Sequence, residues 1–132
     1  MFAVALYTGM RPNEYETAKI DGKFIVCKNS KRKNGKVEYK KIPISPMLEP
    51  FLKNVSELKI YKPYTKREKL GKILPNHILY DLRTTFYSRC KECGVSEYAL
   101  SEFMGHSLGA LGNAYTDLSD GFLLKEGQKI KY

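Results

Sequence analysis

Residues 2–8, FAVALYT, are apolar at every position but the last. The run stops at Gly9, the residue type that most readily takes the left-handed turn closing a helix. It reads as the C-terminal turns of a buried helix, so the chain begins inside a helical layer already under way. Pro12 suits a first helical turn, with Glu14 and Glu16 near the positive end, and predicts a second short helix. Arg11 falls in the joint between the two. Residues 23–28 and 36–42 alternate as strands joined around Asn34-Gly35, a strong hairpin signal, and Pro43 stops the second. Residues 46–54 predict a short helix. The stretch 59–76 is basic and irregular and reads as a surface loop holding at most one helical turn. From Ile78 to Cys93 the apolar positions 79, 82, 86, 90 and 93 follow helical spacing up to Gly94. Ser96 suits the cap of a further helix, with Val95 stapling against Leu100 and Gly105 as its stop. Ser107 caps a last helix to about Leu118, and residues 119–132 form a tail. Helices, a small antiparallel hairpin or sheet at one edge, then helices: the fold class is α+β, mainly helical.

The 132 residues suit one domain. A hydrophobic content of 42% with 28% charged residues is that of an ordinary globular chain. No apolar run approaches the roughly 18–20 residues that cross a bilayer, and no signal peptide precedes Met1, so no membrane association and a cytoplasmic location are expected. Lys and Arg number 23 against 14 acidic residues, a formal charge of +9. Such an excess favours a polyanionic partner, because neutralised phosphates release condensed counterions. The charge is densest around the hairpin, at Lys28, Lys31, Arg32, Lys33 and Lys36, the candidate DNA-binding residues. Cys90 and Cys93 form a C-x-x-C without further ligands at plausible spacing, so they predict buried thiols and no metal.

Cutting DNA without a metal sets definite requirements. The phosphodiester oxygens that gain charge in the transition state need guanidinium or ammonium groups, and the planar arginine fork suits them best. A general acid must protonate the departing sugar oxygen, and a phenol can serve as a nucleophile that holds the phosphate covalently. The sequence offers these groups in order. Thr8-Gly9-Met10-Arg11-Pro12-Asn13-Glu14 resembles the T-G-x-R-x-x-E signature of the tyrosine recombinase, or phage integrase, family. Asp81-Leu82-Arg83-Thr84-Thr85-Phe86 resembles the segment around its second arginine, and Met104-Gly105-His106-Ser107 resembles its L-G-H-S box. Tyr115 lies where the family places its nucleophile.

The resemblance covers nearly the whole chain and implies the catalytic domain of a site-specific DNA recombinase. Arg11 and Arg83 would bind the non-bridging phosphate oxygens, His106 would position the phosphate, and Tyr115 would form a 3′-phosphotyrosyl intermediate. The hairpin lysine resembling the family's general acid is Lys31, with Lys33 as its rival and Lys36 behind them. Where the family usually carries His or Lys three residues before the second arginine, this chain has Tyr80. It lies on the same helical face as Arg83 and can donate a hydrogen bond near the phosphate; His77, one turn back, could supply an imidazole instead. The resemblance further implies double-stranded DNA as partner, no cofactor or metal, and a bacterial cytoplasmic or nucleoid setting. It also implies a homotetramer on DNA docked through the C-terminal tail, with a monomer or dimer in its absence. Relative to the family, the chain would lack the N-terminal clamp domain and first catalytic helices. Two other readings fit the same residues: a non-catalytic DNA-binding remnant of an integrase, and an enzyme like a type IB topoisomerase.

Overall fold

In the computed structural model, which describes residues 1–30, 38–53, 55, 57–58, 63–106 and 119–132, the apolar opening segment forms helix α1 (Phe2–Thr8). Gly9 closes it with φ 65°, and a Cβ there would overlap the Phe86 ring, so close packing and backbone conformation both demand glycine. The chain then turns through extended Arg11 into a 3₁₀ helix (Pro12–Thr17) with proline at its start.

Three antiparallel strands follow, β1 (Lys19–Asp21), β2 (Phe24–Lys28) and β3 (Tyr39–Pro43), in that spatial order. Both predicted strands are present: β2 starts one residue later than expected, and β3 runs through Pro43, the residue expected to stop it, while residues 36 and 37 lie outside the described residues; β1 adds a third. At three residues, Lys-Ile-Asp, β1 is too short to show an alternating pattern. Register pairs Cys27 with Lys40 and Ile25 with Ile42. Pro43 is tolerated because β3 has β2 as its sole strand neighbour in this order, leaving Pro43 on an edge strand. The predicted Asn34-Gly35 turn lies outside the described residues.

The short helix expected over 46–54 is α2 (Glu49–Leu52). The basic stretch expected as a loop is corrected to an eleven-residue helix, α3 (Pro63–Ile73). Its Lys, Arg, Glu and Leu residues favour helix, proline opens it, and Pro75 follows its end. No apolar stripe marks it: among its described side chains only Lys66 and Leu70, one turn apart, are buried. Helix α4 (Leu79–Glu92) turns Leu82, Phe86 and Cys90 into the core against α1, along with Arg83. Gly94, at φ 76°, ends the turn that follows. Helix α5 (Glu97–Met104) buries Ala99, Leu100, Phe103 and Met104, and the Val95–Leu100 staple positions are both buried. Ser96 stands at the cap, but its side chain makes no capping bond.

The tail forms a helix of its own, α6 (Asp120–Gly127), capped by Ser119, which packs on β3 and α5. Leu123 and Ile130 are buried, and Gly127 sits against Pro43. Tyr132 donates to the Leu6 carbonyl and meets Tyr7 edge to face at 4.8 Å. Cys27 and Cys90 are buried and Cys93 half-buried, all as free thiols. Among the described residues there is no metal-ligating cluster, and no helix is long and apolar enough to cross a membrane.

Candidate functional site

Arg83 projects from α4 into the joint between α1 and the 3₁₀ helix and is only 2% exposed. Its Nη1 donates to the Gly9 carbonyl at 2.7 Å and its Nη2 to the Met104 carbonyl at 2.9 Å. These are the open C-terminal ends of α1 and α5, where backbone carbonyls lack helical partners and the dipole favours a cation. One guanidinium thereby ties three helices together. Its Nη2 also lies 3.2 Å from His106 Nε2. A guanidinium can only donate, so Nε2 is the acceptor in this arrangement and a neutral ring carries its proton on Nδ1.

His106 is exposed and follows Gly105, whose left-handed turn (φ 71°) swings the chain off α5. Gly105 is doubly constrained, since a Cβ would meet Asn29 Oδ1 at 2.7 Å. Asn29 Nδ2 donates to the Gly105 carbonyl at 3.1 Å, while its Oδ1 accepts from Arg11 Nη1 at 3.0 Å. One amide thus links the Arg11 joint to the turn that presents His106.

Arg11 is partly exposed, its side chain at 16%. Its backbone N–H and its Nη1 both reach Glu14, at 2.8 Å each. Glu14, read from the sequence as a helix-end carboxylate and the last residue of the T-G-x-R-x-x-E-like segment, is fully buried and accepts from the Ser30 backbone and hydroxyl as well. It also pairs with Lys40 Nζ at 2.6 Å. Burial works against its charge, but Lys40 and the N–H donors of Arg11 and Ser30 outweigh that and hold the carboxyl below its ordinary range. Arg83 has its proton affinity lowered first by burial and then by the positive charge of Arg11. Two guanidiniums are therefore held close enough to repel, with a solvent-facing imidazole beside them, which is how an anion site looks before an anion enters.

Of the sequence-predicted residues, Arg11, Arg83 and His106 come together. Tyr80, in the first turn of α4, is 53% exposed and lies near enough to the Arg83 guanidinium to favour its charged form. Lys28 is exposed at the end of β2, one residue from Asn29. His77 does not join the cluster: its Nδ1 lies 3.2 Å from Asp81 Oδ2 at the N-terminus of α4. Lys31, Arg32, Lys33, Lys36 and Tyr115 lie outside the described residues, as does the helix predicted from Ser107 to Leu118. Sequence reasoning passed over Asn29 and Lys40. Asn29 carries no residue-type signal, but Lys40 shares a strand face with Ile42, and a lysine in phase with buried apolar positions was legible. His106 also lines a polar cavity of about 220 Å³ with Tyr87, Lys91, Glu97, Leu100 and Ser101.

No family model matches this chain, and no curated protein sequence does. Its structure is similar to that of an integrase from mycobacterium phage Brujita, with a TM-score of 0.67 at 14% sequence identity. The match takes in 98% of this chain and 50% of that one, so this chain spans about half the length of the phage protein. At that identity the likeness speaks for a shared integrase-like α+β fold.

Proposed function

We propose that the chain carries the phosphate-binding core of a DNA strand-exchange enzyme of the tyrosine recombinase, or integrase, type. The observation that carries this reading is the meeting of Arg11, Arg83 and His106 from three separate segments. The integrase-like fold, in which a neighbour named as an integrase shares the same architecture, supports it. So does the formal charge of +9, which suits a phosphate polyanion.

In this reading the two guanidiniums neutralise the non-bridging oxygens as charge builds on them, the part a metal plays in other phosphoryl transfers. His106 orients the phosphate. The Tyr115 phenol oxygen attacks phosphorus and gives up its proton, the bond to the 5′ oxygen breaks, and Lys31 protonates that oxygen. The products are a 3′-phosphotyrosyl link and a free 5′ hydroxyl. A 5′ hydroxyl from a second duplex then reverses the exchange, so the ester bond energy is retained and no nucleotide cofactor is consumed.

The test is a half-site duplex nicked near the cleavage point, so that cutting frees a short strand and traps the protein–DNA adduct. Wild-type chain should give the adduct and Tyr115→Phe none. Relaxation of supercoiled plasmid without site preference would instead assign a topoisomerase-like activity. DNA binding with no adduct, even from a longer polypeptide, would assign a DNA-binding remnant.

A further inference from the structure

The chemistry above makes no use of Lys40, although it is the largest fully buried side chain described, at 1% exposure. It lies on the core face of β3 beside Ile42. Burying an ammonium is costly, and an apolar residue of similar length would fill the same space without that cost. What the lysine does touch is Glu14. Lys40 Nζ sits 2.6 Å from Oε2, while Oε1 of the same carboxylate holds Arg11 Nη1 at 2.8 Å. A single negative charge is divided between two cations, one in the core and one facing the anion space.

We propose that Lys40 is a positioning residue for the anion site: by engaging Glu14 Oε2 it keeps Glu14 from pairing through both oxygens with the Arg11 guanidinium, leaving Arg11 available to a phosphate diester. The inference rests on the phosphate-binding reading of the cluster. Carboxylate and guanidinium prefer the two-pronged fork, and in a buried setting their attraction is strong. Lys40 blocks that arrangement from the core side, while Ser30, donating twice to Oε1, competes for the other oxygen. The cluster then presents three cations against one carboxylate, where without Lys40 it would present two.

The experiment is a double-mutant cycle on the full chain, with inorganic phosphate titrated against the Arg11 and Arg83 side-chain NMR signals. Lys40→Met should weaken phosphate binding about tenfold, because Glu14 is released onto Arg11. The double variant Lys40→Met with Glu14→Gln removes both charges and should bind within about threefold of wild type. A lysine that merely fills the core predicts otherwise: the double variant would bind no better than Lys40→Met. That result, or unchanged binding in the single variant, overturns the proposal. Should Lys40→Met fail to fold, the electrically balanced double variant decides alone, since its loss of phosphate binding contradicts the idea and its retention supports it. Failure of the strand-exchange reading shows separately, as wild type that binds phosphate yet forms no covalent DNA adduct.

Discussion

Helix α4 carries two arginines, six positions apart, that hold its two ends by opposite means. Arg83 is buried and gives its hydrogen bonds to carbonyls of α1 and α5 and to the His106 ring. Arg89 keeps 38% side-chain exposure, pairs with Glu92 at 2.7 Å, donates to the Lys131 carbonyl and stacks 5.8 Å from the Tyr132 ring. The charges are identical, so charge does not distinguish a site from a clasp. What separates them is convergence: Arg83 meets a second guanidinium and an imidazole, whereas the neighbours of Arg89 are its own helix and the tail. Like charges held side by side in a core carry a cost, which Glu14 offsets in part at the Arg83 end. The tail end stores none.

Substituting each arginine by lysine breaks the comparison hardest. Arg83→Lys keeps the charge but loses the planar fork that reaches two carbonyls and, in the proposed reading, would reach a phosphate oxygen. Cleavage of the nicked half-site should fall by about 10²–10³-fold, a loss typical of removing a preorganised transition-state donor. Arg89→Lys should leave the rate unchanged. Equal rates for both variants would show that the Arg83 end is structural only. The next effect sits at the tail, where Ile130 is fully buried. Ile130→Ala should cost about 2–4 kcal/mol in denaturant unfolding, the usual loss for emptying a core site. A much smaller loss would mean that the tail leaves its own domain in solution, and light scattering would then reveal a second copy taking it up. Gly105→Ala comes third. It must adopt φ 71° and displace Asn29, so about 1–2 kcal/mol of stability should go. Cleavage should fall with it, because Asn29 links Arg11 to the His106 turn.

Much of this was readable before folding. The apolar run before Gly9, the 79–82–86–90 spacing and the glycines at 9, 94 and 105 fixed α1, α4 and α5, because each states a local rule that the packing then obeys. Three of the candidate residues are joined to the same cluster for a related reason. Arg11 and His106 follow glycine-bearing helix ends, and Arg83 shares the buried face of α4 with Leu82 and Phe86. Helix α3 escaped because it buries almost nothing, so its sequence contains propensity without pattern. Strand β1 escaped because three residues cannot display a period. The tail's placement was unreadable in principle: Leu123 and Ile130 mark a sticky segment, and only tertiary packing decides whether it sticks to its own domain or to another. Glu14 was visible as part of a motif, but its five donors come from three residues spread along the chain, a convergence that spacing cannot encode.

The smallest effect is expected on the surface, at the first turn of α4. Asp81 Oδ2 accepts from the Ile78 backbone N–H at 2.9 Å and faces His77 Nδ1, closing the exposed first turn of α4. The Ile78 N–H, and after it His77, hold its carboxyl below the ordinary aspartate range. A depressed carboxyl stabilises the fold at pH values above its unfolded-state pKa, and that contribution disappears as pH falls through the folded value. Asp81→Asn should therefore melt slightly below wild type at neutral pH, and the gap should close on acidification past the range where aspartate normally titrates. The cap supports the turn that carries Tyr80, two residues before Leu82 and Arg83 swing inward, yet its solvent exposure keeps the effect weak. A gap that persists unchanged into acid would mean that hydrogen-bond geometry, not charge, closes the helix. A large gap would instead tie the exposed first turn to the buried Arg83 guanidinium two residues on.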